Sequence, residues 1–455
     1  MNLYDTIAAQ ATPHGTGAIA VIRVSGEDAA DICDKIFSSS KGLRLTEAKS
    51  HTLHYGKIIE NGAVVDEALV SVFRAPASYT GENSVEISCH GGVLVSKRVL
   101  DAVLAAGARL AEPGEFTKRA FLNGRLDLSQ AEGVIDVINA ESTAALSVSV
   151  HQLGGAVSEK ISEIRALLLS VIAEIDVAVD YPEEDIEKIT AARTLDILRD
   201  AQERLSSLIG TADSGRLLSG GINTVIAGRP NVGKSSLLNA LLGCDRAIVT
   251  ELAGTTRDVI SERLVLGNAI LNICDTAGIR SSEDKIESFG IEKSREYIKN
   301  ADLVLLLVDL TAGVTAEDIE IADEIKGKQA IIIANKADLA VKSEIQPFAD
   351  APVVYVSAKT GAGIDALSAK IEELFGLGKI AADSSAVIVS LRHKKALGAA
   401  LSSVKAAIDA ILRDTPPDLA AIDIQDAISA LGEISGQTVN DEIVNEIFSH
   451  FCLGK

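Results

Sequence analysis

The chain has 455 residues, is 47% hydrophobic and 24% charged, and carries a formal net charge of −21. That length predicts two to four domains with ample core, and the acidic balance argues against a dominant nucleic-acid-binding surface, which is normally basic. No apolar run approaches the roughly 18–20 residues of a membrane helix, no basic-then-apolar leader opens the sequence, and five scattered cysteines suit neither a disulfide framework nor a zinc site, so a reducing cytosol is the expected compartment.

Residues 1–118 read as a strand-rich α+β domain. The run Gly17–Val24 predicts a strand, and Thr52–Ile59 and Val64–Phe73 flank Glu60-Asn61-Gly62 as a hairpin would. Ser84–Cys89 predicts a further strand, and Val93–Ala106 a helix ended by Gly107. From 119 to 216 the period becomes helical. Val157, Ile161, Ile164, Leu168, Val171, Ile175 and Val179 share one face, and Pro182 in Asp180-Tyr-Pro-Glu-Glu-Asp185 breaks it. Lys118-Arg119 with Arg125, and Arg392-His393-Lys394-Lys395, are local basic patches that read first as solvated helix faces. With no Trp and 3% aromatic residues, base stacking is not expected to dominate any RNA contact.

Residues 217–380 alternate strand and helix, as a doubly wound α/β sheet does. The run Ile222–Ala227, the loop Gly228-Arg-Pro-Asn231-Val232-Gly233-Lys234-Ser235, then Ser236, and the helical pattern Leu237–Leu242 form a strand, a glycine-rich phosphate loop and a helix. In that context Lys234 can reach terminal phosphates and the Ser235 hydroxyl can bind Mg²⁺. Thr255 and Thr256, in Gly254-Thr-Thr-Arg-Asp258, are candidates for a switch loop closing over Mg²⁺. Asp275-Thr276-Ala277-Gly278 follows an apolar strand; Asp275 can hold a Mg²⁺ water and the Gly278 N–H can meet the γ-phosphate. Asn335-Lys336-Ala337-Asp338 and Ser357-Ala358-Lys359 complete a guanine-reading set. Asp338 would accept from guanine N1 and N2 hydrogens while Asn335 supports O6; adenine lacks that donor pair, which disfavours an ATPase. After Gly278, where many GTPases place a water-orienting Gln, stands Ile279, which cannot hydrogen-bond to water. A substitute must supply an effect of about 10³–10⁵ in rate, and Arg280, Glu283, Asp284 and Glu287 are the nearby candidates.

Helices return after the Gly376-Leu-Gly378 stretch, in residues 381–455. Leu397, Leu401, Val404, Ile408 and Ile411 form one face, and Ile443, Ile447 and Phe451 another. The expected class is multidomain α/β and α+β, with a doubly wound P-loop domain inserted into a helical domain built from both flanks. Such an insertion couples nucleotide state to the outer domains.

The order Asp5-Thr-Ile-Ala-Ala-Gln-Ala-Thr12, the phosphate loop, Gly254-Thr-Thr-Arg-Asp258 and the terminal Phe451-Cys-Leu-Gly-Lys455 resembles the tRNA modification GTPase family MnmE (TrmE) from the first strand to the last residue. The resemblance implies a homodimer that works with the flavoprotein MnmG (GidA) on the wobble uridine of tRNA. The pair attaches an aminomethyl or carboxymethylaminomethyl group at carbon 5, with a tetrahydrofolate derivative (5-formyl- or 5,10-methylene-) bound by the N-terminal domain. It implies folate contacts at Arg23, Glu86, Arg125 and Lys455, Arg125 standing where relatives often have Lys. It implies a part in the modification chemistry for Cys452. It also implies a K⁺-dependent hydrolysis activated by dimerised GTPase domains, with Asn231, Thr250, Leu252 and Thr255 as K⁺ ligands, Ser235 and Thr256 as Mg²⁺ ligands, and Glu287 positioning the attacking water. Glu251 and Ala253 complete the nucleotide-binding stretch. Two other classes share some of these motifs: a ribosome-assembly type of RNA-binding GTPase without modification chemistry, and a folate-binding scaffold with a purely regulatory GTPase.

Overall fold

Strand alternation and helical stripes take shape as two units in the computed structural model, which describes residues 5–180, 187–243, 262–274, 297–339, 350–377, 387–413 and 415–455. One unit comprises Met1–Ile135 with Gly432–Lys455, the other Asp136–Leu431. The last residues of the chain therefore group with the N-terminal unit.

In the first unit, β1 (Ile7–Gln10), β2 (Ile19–Ser25), β3 (Phe37–Ser39), β4 (Thr52–Glu60), β5 (Ala63–Phe73), β6 (Ser84–His90) and β7 (Arg109–Leu110) form one sheet. Their order is β3-β4-β5-β6-β2-β1-β7, and the pairings are antiparallel except β1 with β7. Successive strand residues point to opposite faces. Ile22, Val24, Ile58, Val70, Val72, Val85 and Ile87 accordingly line one buried face, against Ile32 of α1 (Ala29–Asp34) and Val99 and Val103 of α2 (Val93–Ala105). The expected hairpin is present: Asn61 and Gly62 both take positive φ, 51° and 81°, as a two-residue turn requires. The opposite face leaves Leu53, Tyr55 and Leu69 exposed, with Tyr55 and Leu69 paired across β4 and β5. Then come α3 (Glu115–Leu122) and α4 (Leu128–Asn139), the latter running past the unit's boundary.

The second unit contains α5 (Thr143–Leu153), α6 (Ala156–Asp180), α7 (Glu187–Gly210) and α8 (Ala212–Gly220), then β8 (Ile222–Ala227) and α9 (Lys234–Leu242). Next come β9 (Glu262–Leu266), β10 (Ala269–Ile273), β11 (Leu303–Asp309), α10 (Ala316–Glu324), β12 (Ala330–Asn335), β13 (Val353–Tyr355) and α11 (Ile364–Phe375). The six-stranded sheet runs β13-β12-β11-β8-β10-β9, parallel except for β9 against β10. Strands β11 and β12 are buried along nearly their whole length, as a sheet covered on both faces demands. Ala144 and Val148 of α5 and Leu218 of α8 share one core with Ile222, Ile226, Leu271 and Ile273 of the sheet. Of the expected face of α6, Val157, Ile161, Ile164, Leu168, Val171 and Ile175 are all buried, and the Val179 side chain lies outside the described ones. Helix α12 (Leu391–Leu412) packs on α7, so helices from both flanks of the nucleotide fold meet each other. Pro182 lies outside the described residues.

The chain ends with α13 (Pro417–Ser435), which crosses into the first unit, and α14 (Asp441–Ser449). Here one expectation is corrected. Ile443 is exposed, and the buried stripe is Val444 and Phe448, continued by Phe451 beyond the helix end. Phe451 is buried as expected, while within the helix the stripe falls one residue after Ile443 and the half-buried Ile447. Both basic patches also need correcting. Arg119 is 2% exposed and His393 is fully buried, so each patch loses one member to the interior, while Arg125 and Lys395 remain exposed.

Candidate nucleotide site and N-terminal charged site

The turn from β8 into α9 is built on backbone conformations that few residues tolerate. Gly228 has φ +144°, and a side chain there would meet the Leu307 carbonyl at 2.7 Å. Gly233 has φ +103°, and an added Cβ would run into the Asn335 amide nitrogen. Between them Asn231 takes φ +61°. The loop curls so that the first N–H groups of α9 face the loop interior, where an anion is favoured. Lys234 donates to the Gly228 and Arg229 carbonyls at 2.6 and 2.9 Å. Both acceptors are neutral, and burial holds the Lys234 ammonium below the usual lysine range. A phosphate would replace those carbonyls with a counter-charge.

Two further loops are tied to this one. Asn335, 2% exposed, donates from Nδ2 to the Val232 carbonyl at 2.8 Å and accepts at Oδ1 from the Ala358 N–H at 3.1 Å. Both ends of its amide thus join loops, a positional role in addition to the guanine contact expected of it. The Asp338 carboxylate is oriented by the buried Ser357 hydroxyl at 2.6 Å. Lys336 reaches Asp309 at 2.6 Å and the Asn231 carbonyl at 3.4 Å. Lys359 is exposed beside them. Arg229 pairs with the fully buried Asp318 at 3.0 Å, fixing the outer side of the loop to α10. The structure therefore gathers Asn231–Ser236, Asn335–Asp338 and Ser357–Lys359 at the ends of β8, β12 and β13. Thr250–Thr256, Asp275–Gly278, Ile279 and Glu287 lie outside the described residues.

A second cluster stands in the N-terminal unit. Arg23 and Glu86 face each other across β2 and β6, with Nε donating to Oε1 at 2.9 Å. The Arg23 guanidinium carbon lies 4.9 Å from the Tyr79 ring centroid and 5.7 Å from that of Phe116. Lys455 joins them. Burial first, and the Arg23 charge second, hold its ammonium below the usual range, while Glu86 and Cys452 pull it back. The C-terminal turn is seated by backbone contacts: Phe116 N–H to the Lys455 carbonyl at 3.2 Å and Gly114 N–H to that of Cys452 at 3.4 Å. Gly454, at φ +93°, lies against the Gln10 carbonyl where no side chain fits. Cys452 is exposed. Arg125 is exposed beyond the far end of α3 from Phe116, and no side-chain contact joins it to this group among the described residues.

Sequence reasoning missed what supports the cluster. Arg119 donates to the Asp5 carboxylate at 2.7 Å, to Glu115 at 3.1 Å and to Glu82 at 3.2 Å, and Arg109 bridges Asp5 and Glu115, each at 2.6 Å. The Arg109 hydrogen bond holds Asp5 below its usual range. Burial pushes Glu115 up, but Arg109, the Glu112 N–H and Arg119 together outweigh it and hold it down. The one available signal was the i,i+4 spacing of Glu115 and Arg119.

Residues 6–125 match the family model described as the GTP-binding protein TrmE N-terminus, and 128–452 that of the MnmE helical domain. The chain is 45% identical to the tRNA modification GTPase MnmE of Acetivibrio thermocellus, over 99% of both chains. It is 46% identical to the protein of that name from Geobacillus kaustophilus, over 100% of both. It is 44% identical to that from Clostridioides difficile, again over 100% of both. With two models spanning nearly its whole length and relatives matched from end to end, the chain belongs to the MnmE (TrmE) family.

Proposed function

We propose that this protein hydrolyses GTP and acts in tRNA modification, installing an aminomethyl or carboxymethylaminomethyl group at carbon 5 of the wobble uridine together with the flavoprotein MnmG. The observation that carries the GTPase reading is the Asn335 bridge, which ties a phosphate loop to two loops suited to guanine. In this reading Lys234 exchanges its two carbonyl acceptors for terminal phosphate oxygens, and Asp338, held by Ser357, accepts from the guanine N–H groups. Ser235 and Thr256 would hold Mg²⁺, and Asn231, Thr250, Leu252 and Thr255 would hold K⁺; the cations supply charge neutralisation at the phosphates. Glu287 would orient the attacking water in place of the missing Gln.

Arg23, Glu86 and Lys455 fit a reduced folate by chemistry. Arg23 Nη1 is buried with no acceptor among the described residues, and Glu86 can accept from amino and ring N–H donors. Cys452 stands within electrostatic reach of Lys455 and would serve the modification step. The open sheet face around Leu53, Tyr55 and Leu69 supports a homodimer formed through the N-terminal unit. No described helix is long and apolar enough to cross a membrane, and a cytoplasmic setting is part of the proposal. The ribosome-assembly reading is not favoured, since the relatives matched over the whole chain carry the name of a tRNA modification GTPase.

The test is GTP hydrolysis in K⁺ against Na⁺ at equal ionic strength, with wobble-uridine modification assayed alongside. Equal rates would remove the K⁺-dependent part. Unmodified tRNA with MnmG and a folate donor present would remove the modification part.

A further inference from the structure

The Arg23 site contains a ring that its charge chemistry leaves unexplained. Among the described residues the Arg23 guanidinium is anchored through Nε alone, to Glu86. A guanidinium held by a single contact on a strand can still pivot about its long side chain. Here Tyr79 and Phe116 cover it, at 4.9 and 5.7 Å, within the range in which a cation is attracted to a ring face. Phe116 is fully buried in a small core with Ile7, Ala9 and Ala111, and Tyr79 packs against that core from its partly open side. Tyr79 is only partly buried, yet its ring is fixed: its hydroxyl lies 2.8 Å from that of Thr117, which is fully buried on α3. Helix α3 is itself locked by the Glu115 and Arg119 ion pairs. On the next residue, the Thr80 hydroxyl meets Ser25, two positions along β2 from Arg23. The tyrosine is thus braced from both sides against the strand that carries the arginine.

We propose that Tyr79 is the positioning residue of this site: its ring fixes the plane of the Arg23 guanidinium so that Nη1, buried and without an acceptor among the described residues, donates in one set direction to an acceptor atom of a bound reduced folate. The inference rests on the folate reading above. A flat cation attracted to two fixed rings is restrained from turning away to find water or another carboxylate, so its unused donor is kept for the ligand.

The experiment uses the full chain and 5-formyltetrahydrofolate, with affinities from calorimetry. Tyr79→Leu removes the ring and is expected to weaken binding roughly tenfold, while Tyr79→Phe keeps the ring and stays within about threefold of the parent. In an Arg23→Ala background the Tyr79→Leu change should cost nothing further, because a positioning effect vanishes with the residue it positions. An equal loss in both backgrounds would mean a merely structural role and would overturn the proposal. A second readout needs no folate: the rate at which phenylglyoxal modifies Arg23, followed by mass spectrometry, should rise several-fold in Tyr79→Leu and not in Tyr79→Phe. If the parent chain binds no folate but this rate rises, the folate reading fails and the clamp on Arg23 stands. An unchanged rate sinks the clamp.

Discussion

The phosphate loop and the Arg23 site both prepare a place for an anion or an acceptor-rich ligand, and they do it with opposite materials. The loop uses main chain. Gly228, Asn231 and Gly233 bend a short contiguous segment through positive φ, and the side chains around it mostly hold that bend. The N-terminal site uses partly buried side-chain charge. Arg23, Glu86, Phe116 and Lys455 come from four separate segments, and a further set of ion pairs around Arg119 keeps α3 in place behind them. A site made from backbone is tolerant of its surroundings and intolerant of a single added methyl. One made from paired charges is the reverse: shape can give a little, but a missing partner leaves a charge stranded in a poor solvent.

The widest contrast should come from Lys234→Ala. It removes a cation that no backbone group can replace, and GTP turnover should fall by at least about 100-fold, whereas folate titration of the same protein should be unchanged. A parallel fall in folate affinity would mean that the two sites are not separable in this way. Next in size is Arg119→Met, which takes the ion-pair partner from Glu82 and one of two arginine partners from Asp5 and from the buried Glu115, both of which keep Arg109. Denaturant unfolding of the N-terminal unit should show a loss of about 3–5 kcal/mol, with GTP affinity retained. Gly233→Ala comes third. Its Cβ has to displace the Asn335 amide at a positive φ, a strain of about 1–3 kcal/mol, and nucleotide affinity should drop by roughly tenfold or more while the unfolding of the first unit stays put. The smallest effect is in acid. Asp5 and Glu115 have folded-state pKa values below their ordinary ones, so their stabilisation is complete above about pH 4–5 and is lost as pH falls through the lowered values. Stability of the parent should decline over that acid range, and Arg119→Met should flatten the decline.

Legibility in the sequence follows the same division. The nucleotide motifs are contiguous, and each is forced by local chemistry: a glycine where φ is positive, a lysine and a hydroxyl where the loop enters its helix, an Asn-Lys-x-Asp run at the end of a buried strand. Residue types at fixed spacing therefore placed Asn231–Ser236, Asn335–Asp338 and Ser357–Lys359, and the structure brings them together. The strand alternation of β4–β6 and the stripe of α6 were equally open, because burial on one face writes a period into the chain. The N-terminal site was legible only through family resemblance. Nothing local to Tyr79 or Phe116 says that they will cover Arg23, since their meeting depends on the pairing of β2 with β6 and on where α3 docks. Arg119 misled for a related reason. Beside Lys118 it looks like half of a basic patch, and only the tertiary position of Asp5, Glu82 and Glu115 turns it inward.

The Asn335 amide has a thermodynamic consequence. Because one side chain fastens the loop suited to phosphates to the loops suited to the base, order gained at one end of the nucleotide is order already in place for the other. Guanosine and inorganic phosphate, offered as separate pieces, should each raise the affinity for the other, and by the same factor in either order, because linkage is reciprocal. Cutting the bridge with Asn335→Ala would turn one bidentate grip into two independent weak ones. The intact nucleotide, whose sugar merely joins the pieces, would lose the most.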